Sequence, residues 1–202
     1  MVRQPSINAQ NRAPLSIERI TEAALHIVDG QGLGRLTMRR LGDALEVEAM
    51  AIYHHLPRGK EQLLDGLVAH VAAAPADTSA SGRWQDVLGA WAGGYRERLL
   101  AHAGVLPLVV TRRNPAALTD TLASLREVLR RGGVAEDAAA VAAHTLLGYV
   151  IGHAALEVRG TAQEGAAART AAGEGAVDWD ARFRAGLGVV LGGVRQDPVS
   201  PR

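Results

Sequence analysis

Cysteine is absent from this chain of 202 residues, which excludes a disulfide framework and any thiolate metal site. The absence agrees with a reducing compartment, and a cytoplasmic protein is expected. Aromatic residues are scarce, seven in all, so a cluster of them stands out. Lysine is nearly missing: of 22 basic side chains only Lys60 is a lysine, a pattern that reflects GC-rich coding more than selection for guanidinium. Charge of one sign is lacking too. Formal net charge is +1, and residues 1–73 carry eight basic against eight acidic side chains, so no domain-wide positive field announces nucleic acid. Any DNA affinity must come from local placement. The opening MVRQPSINAQNRAP has no apolar core of a secretory signal, and no run approaches the ~20 apolar residues that span a bilayer. HExxH, GxSxG and phosphate-loop patterns do not occur, so catalysis is not expected, and neither a cofactor nor a metal is implied.

What the chain does have is helical periodicity. With 48% hydrophobic residues it buries a real core. Ser16 is placed to cap a helix with Ile17, Ile20, Ala24, Ile27 and Val28 on one stripe, and Gly30 to Gly34 stop it. Thr37 caps a second helix through about Leu45, Glu46 and Val47 turn the corner, and a third runs from Glu48 to about Leu56. Pro57 and Gly59 end it. A fourth helix, about Lys60 to Ala73, turns Leu63, Leu64, Leu67, Val68 and Val71 inward. Residues 74–82 shift to small polar residues and proline, marking a connector. Beyond it, helices are expected over Trp84–His102, Val105–Arg112, Pro115–Arg131, Glu136–Arg159 and Asp178–Val194. The alanine- and glycine-rich stretch 160–176 reads as a mobile loop or weak helix. No stretch alternates like a strand. The expected fold is all-α, with an arm over 1–14, a helix-turn-helix domain over 15–73, a helical domain over 83–195 and a tail over 196–202.

Thr37 to Lys60, TMRRLGDALEVEAMAIYHHLPRGK, carries the chemistry. Leu41, Leu45, Val47, Ile52 and Leu56 fall where periodicity hides them, leaving Arg39, Arg40, Tyr53, His54 and His55 outward. Arginines in the first turn of a helix oppose its dipole by ~0.3–1 kcal/mol each. A phosphate docked there reverses the sign, with the Thr37 hydroxyl and free N–H groups adding contacts. On the third helix, small Ala49 permits close approach to a base edge, Met50 can touch a thymine methyl, and Tyr53, His54 and His55 can donate to phosphate. Lys60, just after that helix, also suits a phosphate. Adjacent His54 and His55 point roughly 100° apart, a poor metal pair.

Residues 15–73 resemble the DNA-binding domain of the tetracycline-repressor family, on Ile17–Val28, then GLGRLTMRRLGDAL, then AIYHHLPRGKEQLLDGL. The resemblance implies that Thr37 and Arg39 hold the second-helix contacts, Ala49 and Met50 meet bases, and Tyr53, His54, His55 and Lys60 grip the backbone. Glu46 stands where the family usually has glycine, and LPRGK is one residue longer than the usual connection. From Trp84 to Arg159 the chain is similar to that family's C-terminal helical domain, on WAGGYRERLLAHAGVLPLVVTRR and GYVIGHAALE. This implies a homodimer joined through the long helix near 136–159 and the last helix, a palindromic operator, and a small-molecule pocket in each subunit. In tetracycline-responsive members a histidine precedes the Thr-Arg pair; here Leu108 takes that place before Thr111 and Arg112, which argues against metal-chelated tetracycline as effector.

Trp84, Trp91 and Tyr95 share one stripe, and their bulk can line an apolar pocket with His102, Arg112, Tyr149 and His153 as its polar groups. Thr145, Tyr149, His153 and Glu157 follow four-residue steps, a polar strip facing either pocket or partner subunit. Gly148 and Gly152 permit close backbone approach and are assigned to the dimer contact. The expectation is a ligand-responsive transcriptional repressor released from DNA by a small apolar or aromatic molecule. The balanced charge of residues 1–73 supports an alternative, a helical interaction module whose helix-turn-helix no longer binds DNA.

Overall fold

The computed structural model describes residues 14–112, 114, 116–167 and 177–194, and every regular element among them is a helix. Helix α1 spans Ile17–Gln31, opened by the Ser16 hydroxyl accepting from the Arg19 N–H at 3.2 Å and closed by Gly32 at φ 84°. A 3-10 turn over Leu33–Arg35 leads to α2 (Met38–Leu45), where the Thr37 hydroxyl accepts from the Arg40 N–H at 3.1 Å. Helices α3 (Ala49–His55) and α4 (Lys60–Ala72) follow. Ile20, Ala24, Leu36, Leu41 and Ile52 are wholly buried, and at about 1.5–3 kcal/mol for each large side chain this small core holds the first helices together.

The chain divides into two compact units, Met1–Gly66 and Leu67–Arg202, so the division falls within α4 rather than in the 74–82 connector. The reason lies in where the end of α4 finds its hydrogen bonds. Arg98 donates to the carbonyls of His70 and Val71, and the Tyr95 hydroxyl donates to Ala72 O at 3.1 Å. The start of the connector is tied down as well: Ala74 N–H reaches the Thr121 hydroxyl at 2.9 Å and Ala76 N–H the Ser124 hydroxyl at 2.8 Å. Helix ends leave carbonyls unpaired, and here side chains of the second unit satisfy them.

That second unit comprises α5 (Trp84–Ala101), α6 (Leu106–Thr111), α7 (Ala116–Arg131), α8 (Glu136–Ala167) and α9 (Trp179–Gly192). The Asp178 carboxylate caps α9 by accepting from the Ala181 N–H at 2.8 Å. Helix α8 packs against α5, α6, α7 and α9. It runs past Arg159 through 160–167, because alanine's helix propensity outweighs the glycines there. The rest of the stretch expected to be a loop or weak helix, 168–176, lies outside the described residues, as do the arm before Pro14 and the tail after 194. One expectation is corrected outright: within α8, Glu136–Ala162 has the length and composition of a membrane span, 27 residues in all, its most apolar window averaging a mean hydropathy of 1.4. It nonetheless buries Glu157 and packs on neighbouring helices, as the central helix of a bundle does.

Candidate nucleic-acid interface and effector core

The corner between α2 and α3 is left-handed at Glu46, φ 55° and ψ 43°, a conformation that costs a side-chain-bearing residue about 1–2 kcal/mol. Gly42 makes the corner tight. A Cβ there would lie 2.8 Å from Val47 O, so only glycine lets the last turn of α2 meet the chain this closely. The corner presents α3 with Ile52 wholly buried and Met50 and Tyr53 exposed by 69% and 40%. His54 is exposed, and Ala49 and His55 are half-buried. The Tyr53 ring rests on the following corner: Gly59, at φ 57°, has no room for a Cβ, which would meet Tyr53 Cε1 at 2.8 Å. Tyr53 is thus held outward by backbone.

Thr37, Arg39 and Arg40 are exposed and line one concavity of about 650 Å³ with His26, Gln31 and Arg35. His26 and Arg35 were not singled out from the sequence; the signal available was a basic residue two positions before the Thr37 cap. Lys60 begins α4, but its ammonium donates to Leu36 O at 2.8 Å. It is thereby tied to the residue before Thr37, with two N–H donors left over.

The residues assigned to a ligand pocket fall into two groups. Trp91 and Tyr95 stack at 5.2 Å between centroids, with Trp91 Nε1 donating to Ala74 O at 2.6 Å and the Tyr95 hydroxyl on Ala72. Burial pushes the Tyr95 hydroxyl above its ordinary pKa. Their polar atoms are engaged on backbone, and Tyr95 is buried. Leu108 packs against the cluster of Val68, Ala72 and Ala117. His102 and Arg112 are the C-cap residues of α5 and α6.

Tyr149 and His153 belong to the second group, beneath α9. The Tyr149 hydroxyl donates to Phe183 O at 2.7 Å, and its ring stacks on Phe183 at 5.6 Å. His153 meets Phe183 and Trp179 edge-on at 5.1 and 5.8 Å. Glu157, one turn further, takes a bidentate pair from Arg96 at 2.7 and 2.8 Å, and Arg96 also reaches Asp180 at 2.6 Å. The hydrogen bonds that Arg96 donates to Glu157 hold its guanidinium above its ordinary pKa, while burial pushes the His153 imidazole down. The polar strip of α8 therefore meets α9 and α5 of its own subunit from Tyr149 to Glu157. Gly148 and Gly152 lie on a different side of α8, exposed, with nothing within 4 Å of an added Cβ.

This architecture has known relatives. Residues 75–176 match the model for the tetracyclin repressor-like C-terminal domain. The chain is 30% identical over 149 residues to the class E tetracycline repressor protein of Escherichia coli, covering 69% of each. It is 31% identical over 145 residues to the HTH-type transcriptional repressor DrrR1 of Streptomyces coeruleorubidus, covering 69% of this chain and 53% of that longer protein. Among solved structures, the Streptomyces coelicolor TetR family protein ActR in complex with actinorhodin superposes with a TM-score of 0.69 at 25% identity, covering 90% of this chain and 97% of ActR. An N-terminal helix-turn-helix joined to an all-helical C-terminal domain defines the class, DNA-binding regulators that answer to small ligands. The chain belongs to the tetracycline-repressor family of DNA-binding transcriptional regulators.

Proposed function

We propose that two copies of this chain present their α3 helices to successive major grooves of a palindromic operator, about 34–36 Å apart. The observation that carries the reading is the division of α3: Ile52 alone is wholly buried, while Met50, Tyr53 and His54 stand outward beside the exposed Thr37, Arg39 and Arg40. Ala49 and Met50 then meet base edges, and Tyr53, His54, His55 and Lys60 hold the phosphate backbone. The second copy covers the open face of α8 and α9. Val141, Leu156 and Val189 are exposed by 68%, 58% and 76%, and Thr145, Gly148 and Gly152 continue that face of α8 at three- and four-residue steps. The protein acts in the cytoplasm and catalyses nothing.

The effector is a small apolar or aromatic molecule held in the second unit, and the residues proposed to meet it are Trp91, Tyr95, Leu108, His102 and Arg112, with Tyr149 and His153 beneath α9 as a separate group. ActR, solved in complex with actinorhodin, is a precedent for a bound small molecule on this fold. A ligand that favours a different spacing of the two α3 helices weakens operator binding by its differential affinity for the two states. Fluorescence anisotropy on a duplex from upstream of the gene, titrated with salt, tests the reading. Phosphate docking requires log affinity to fall linearly with log salt. Absence of any saturable binding at low salt would favour the interaction-module alternative instead.

A further inference from the structure

We propose that Arg58 is an additional phosphate contact of the DNA-bound protein, held beside Asp65 until DNA replaces that partner. This rests on the DNA-binding reading above and adds a residue to it. Arg58 stands in the corner between α3 and α4, where its main chain is fixed from several sides. Its N–H donates to Gln62 Oε1 at 3.2 Å, and the next residue's N–H donates to Leu56 O at 2.7 Å. Gly59 then packs under the Tyr53 ring. The Arg58 side chain consequently departs from a rigid point next to the tyrosine assigned to the phosphate backbone.

Two cations share this corner and take different partners. Lys60 is tied by its ammonium to Leu36 O. The Arg58 side chain reaches Asp65 through a single nitrogen, Nη2 to Oδ2 at 3.2 Å, and is 67% exposed against 31% for that of Asp65. An exposed, single-contact ion pair holds its arginine weakly, whereas a phosphate offers a planar guanidinium paired, charge-assisted hydrogen bonds. Asp65 therefore keeps the arginine positioned along α4 and competes with DNA for it. Neutralising Asp65 frees the arginine and strengthens DNA binding only while Arg58 is present.

The test uses the full-length protein and the upstream duplex, with anisotropy followed from low to moderate salt for Arg58→Ala, Arg58→Lys, Asp65→Asn and the double variant. Arg58→Ala is expected to weaken binding and to make the log-affinity against log-salt slope shallower by about 0.9 per subunit; Arg58→Lys is expected to keep the slope. Asp65→Asn is expected to tighten binding about two- to fivefold per subunit, a gain that disappears in the double variant. An unchanged slope in Arg58→Ala overturns the proposal, as does an Asp65→Asn gain that survives without Arg58, which signifies through-space repulsion alone. Tyr53→Ala separates the two levels. If it abolishes binding while Arg58→Ala changes nothing, only this inference fails; if neither matters, the assignment of α3 fails with it.

Discussion

Replacing Gly148 with leucine separates the stability of the subunit from that of the dimer. Within one chain the change is favourable: an added Cβ at Gly148 meets nothing within 4 Å, and leucine exceeds glycine in helix propensity by about 0.8 kcal/mol. Between chains it is unfavourable. A larger side chain in a close-packed contact costs about 1–3 kcal/mol, and a twofold interface repeats the insult in both copies. The sum, about 2–6 kcal/mol, corresponds to a roughly 30-fold to 10⁴-fold rise in the dimer dissociation constant. Sedimentation equilibrium over a concentration series reads this shift, and circular dichroism on the same samples confirms that helix content is kept. Gly94→Leu on α5, where an added Cβ also meets nothing, serves as the control that should not affect association. A Gly148→Leu protein that remains dimeric at the wild-type concentration refutes the placement of this face in the interface.

Other outcomes follow from the same geometry. Glu46→Gly should raise the unfolding free energy of the first unit by about 1 kcal/mol by relieving the left-handed corner, whereas Gly42→Ala should lower it by about 1–3 kcal/mol, because its methyl meets the Val47 carbonyl; urea titration measures both. Arg96→Ala deprives the buried Glu157 of its bidentate partner, leaving the His153 imidazole nearby, and should cost about 3–5 kcal/mol, while Asp180→Asn, at a side chain 70% exposed, should cost under about 1 kcal/mol. Thermal unfolding against pH tests His153. Burial lowers its folded pKa, with Arg96 and Arg182 also lowering it and Glu157 opposing. The unfolded chain therefore takes up a proton near 6.5 that the folded chain refuses. Stability should fall as pH drops from about 7 through 6.5 toward the folded value, and His153→Gln should remove that part of the loss.

The helices and their caps were legible because periodicity and capping are local. Ser16, Thr37 and Asp178 mark three helix starts, and the Leu41–Leu45–Ile52 seam already implies the helix-turn-helix. Glu46 was legible as a corner residue, while its left-handed backbone was visible only in the structure. The end of α8 was misplaced because a segment rich in alanine and glycine offers opposing propensities and no periodicity. The strip from Tyr149 to Glu157 could be assigned to one face of a helix, but periodicity says nothing of which neighbour covers that face. Arg96 and Asp180 sit 61 and 23 residues from Glu157 along the chain, so their pairing was not readable. The same holds for Tyr95 and Trp91, whose polar atoms reach the last carbonyl of α4 and that of Ala74 beyond it, and for Lys60, whose tie to Leu36 O spans 24 residues.

Operator binding by Tyr53→Ala, measured beside wild type on the same upstream duplex with dimer mass and helix content monitored, decides whether α3 reads DNA. The variant should be a folded dimer that no longer binds. A Tyr53→Ala protein that binds as tightly as wild type, with the same salt dependence, contradicts it.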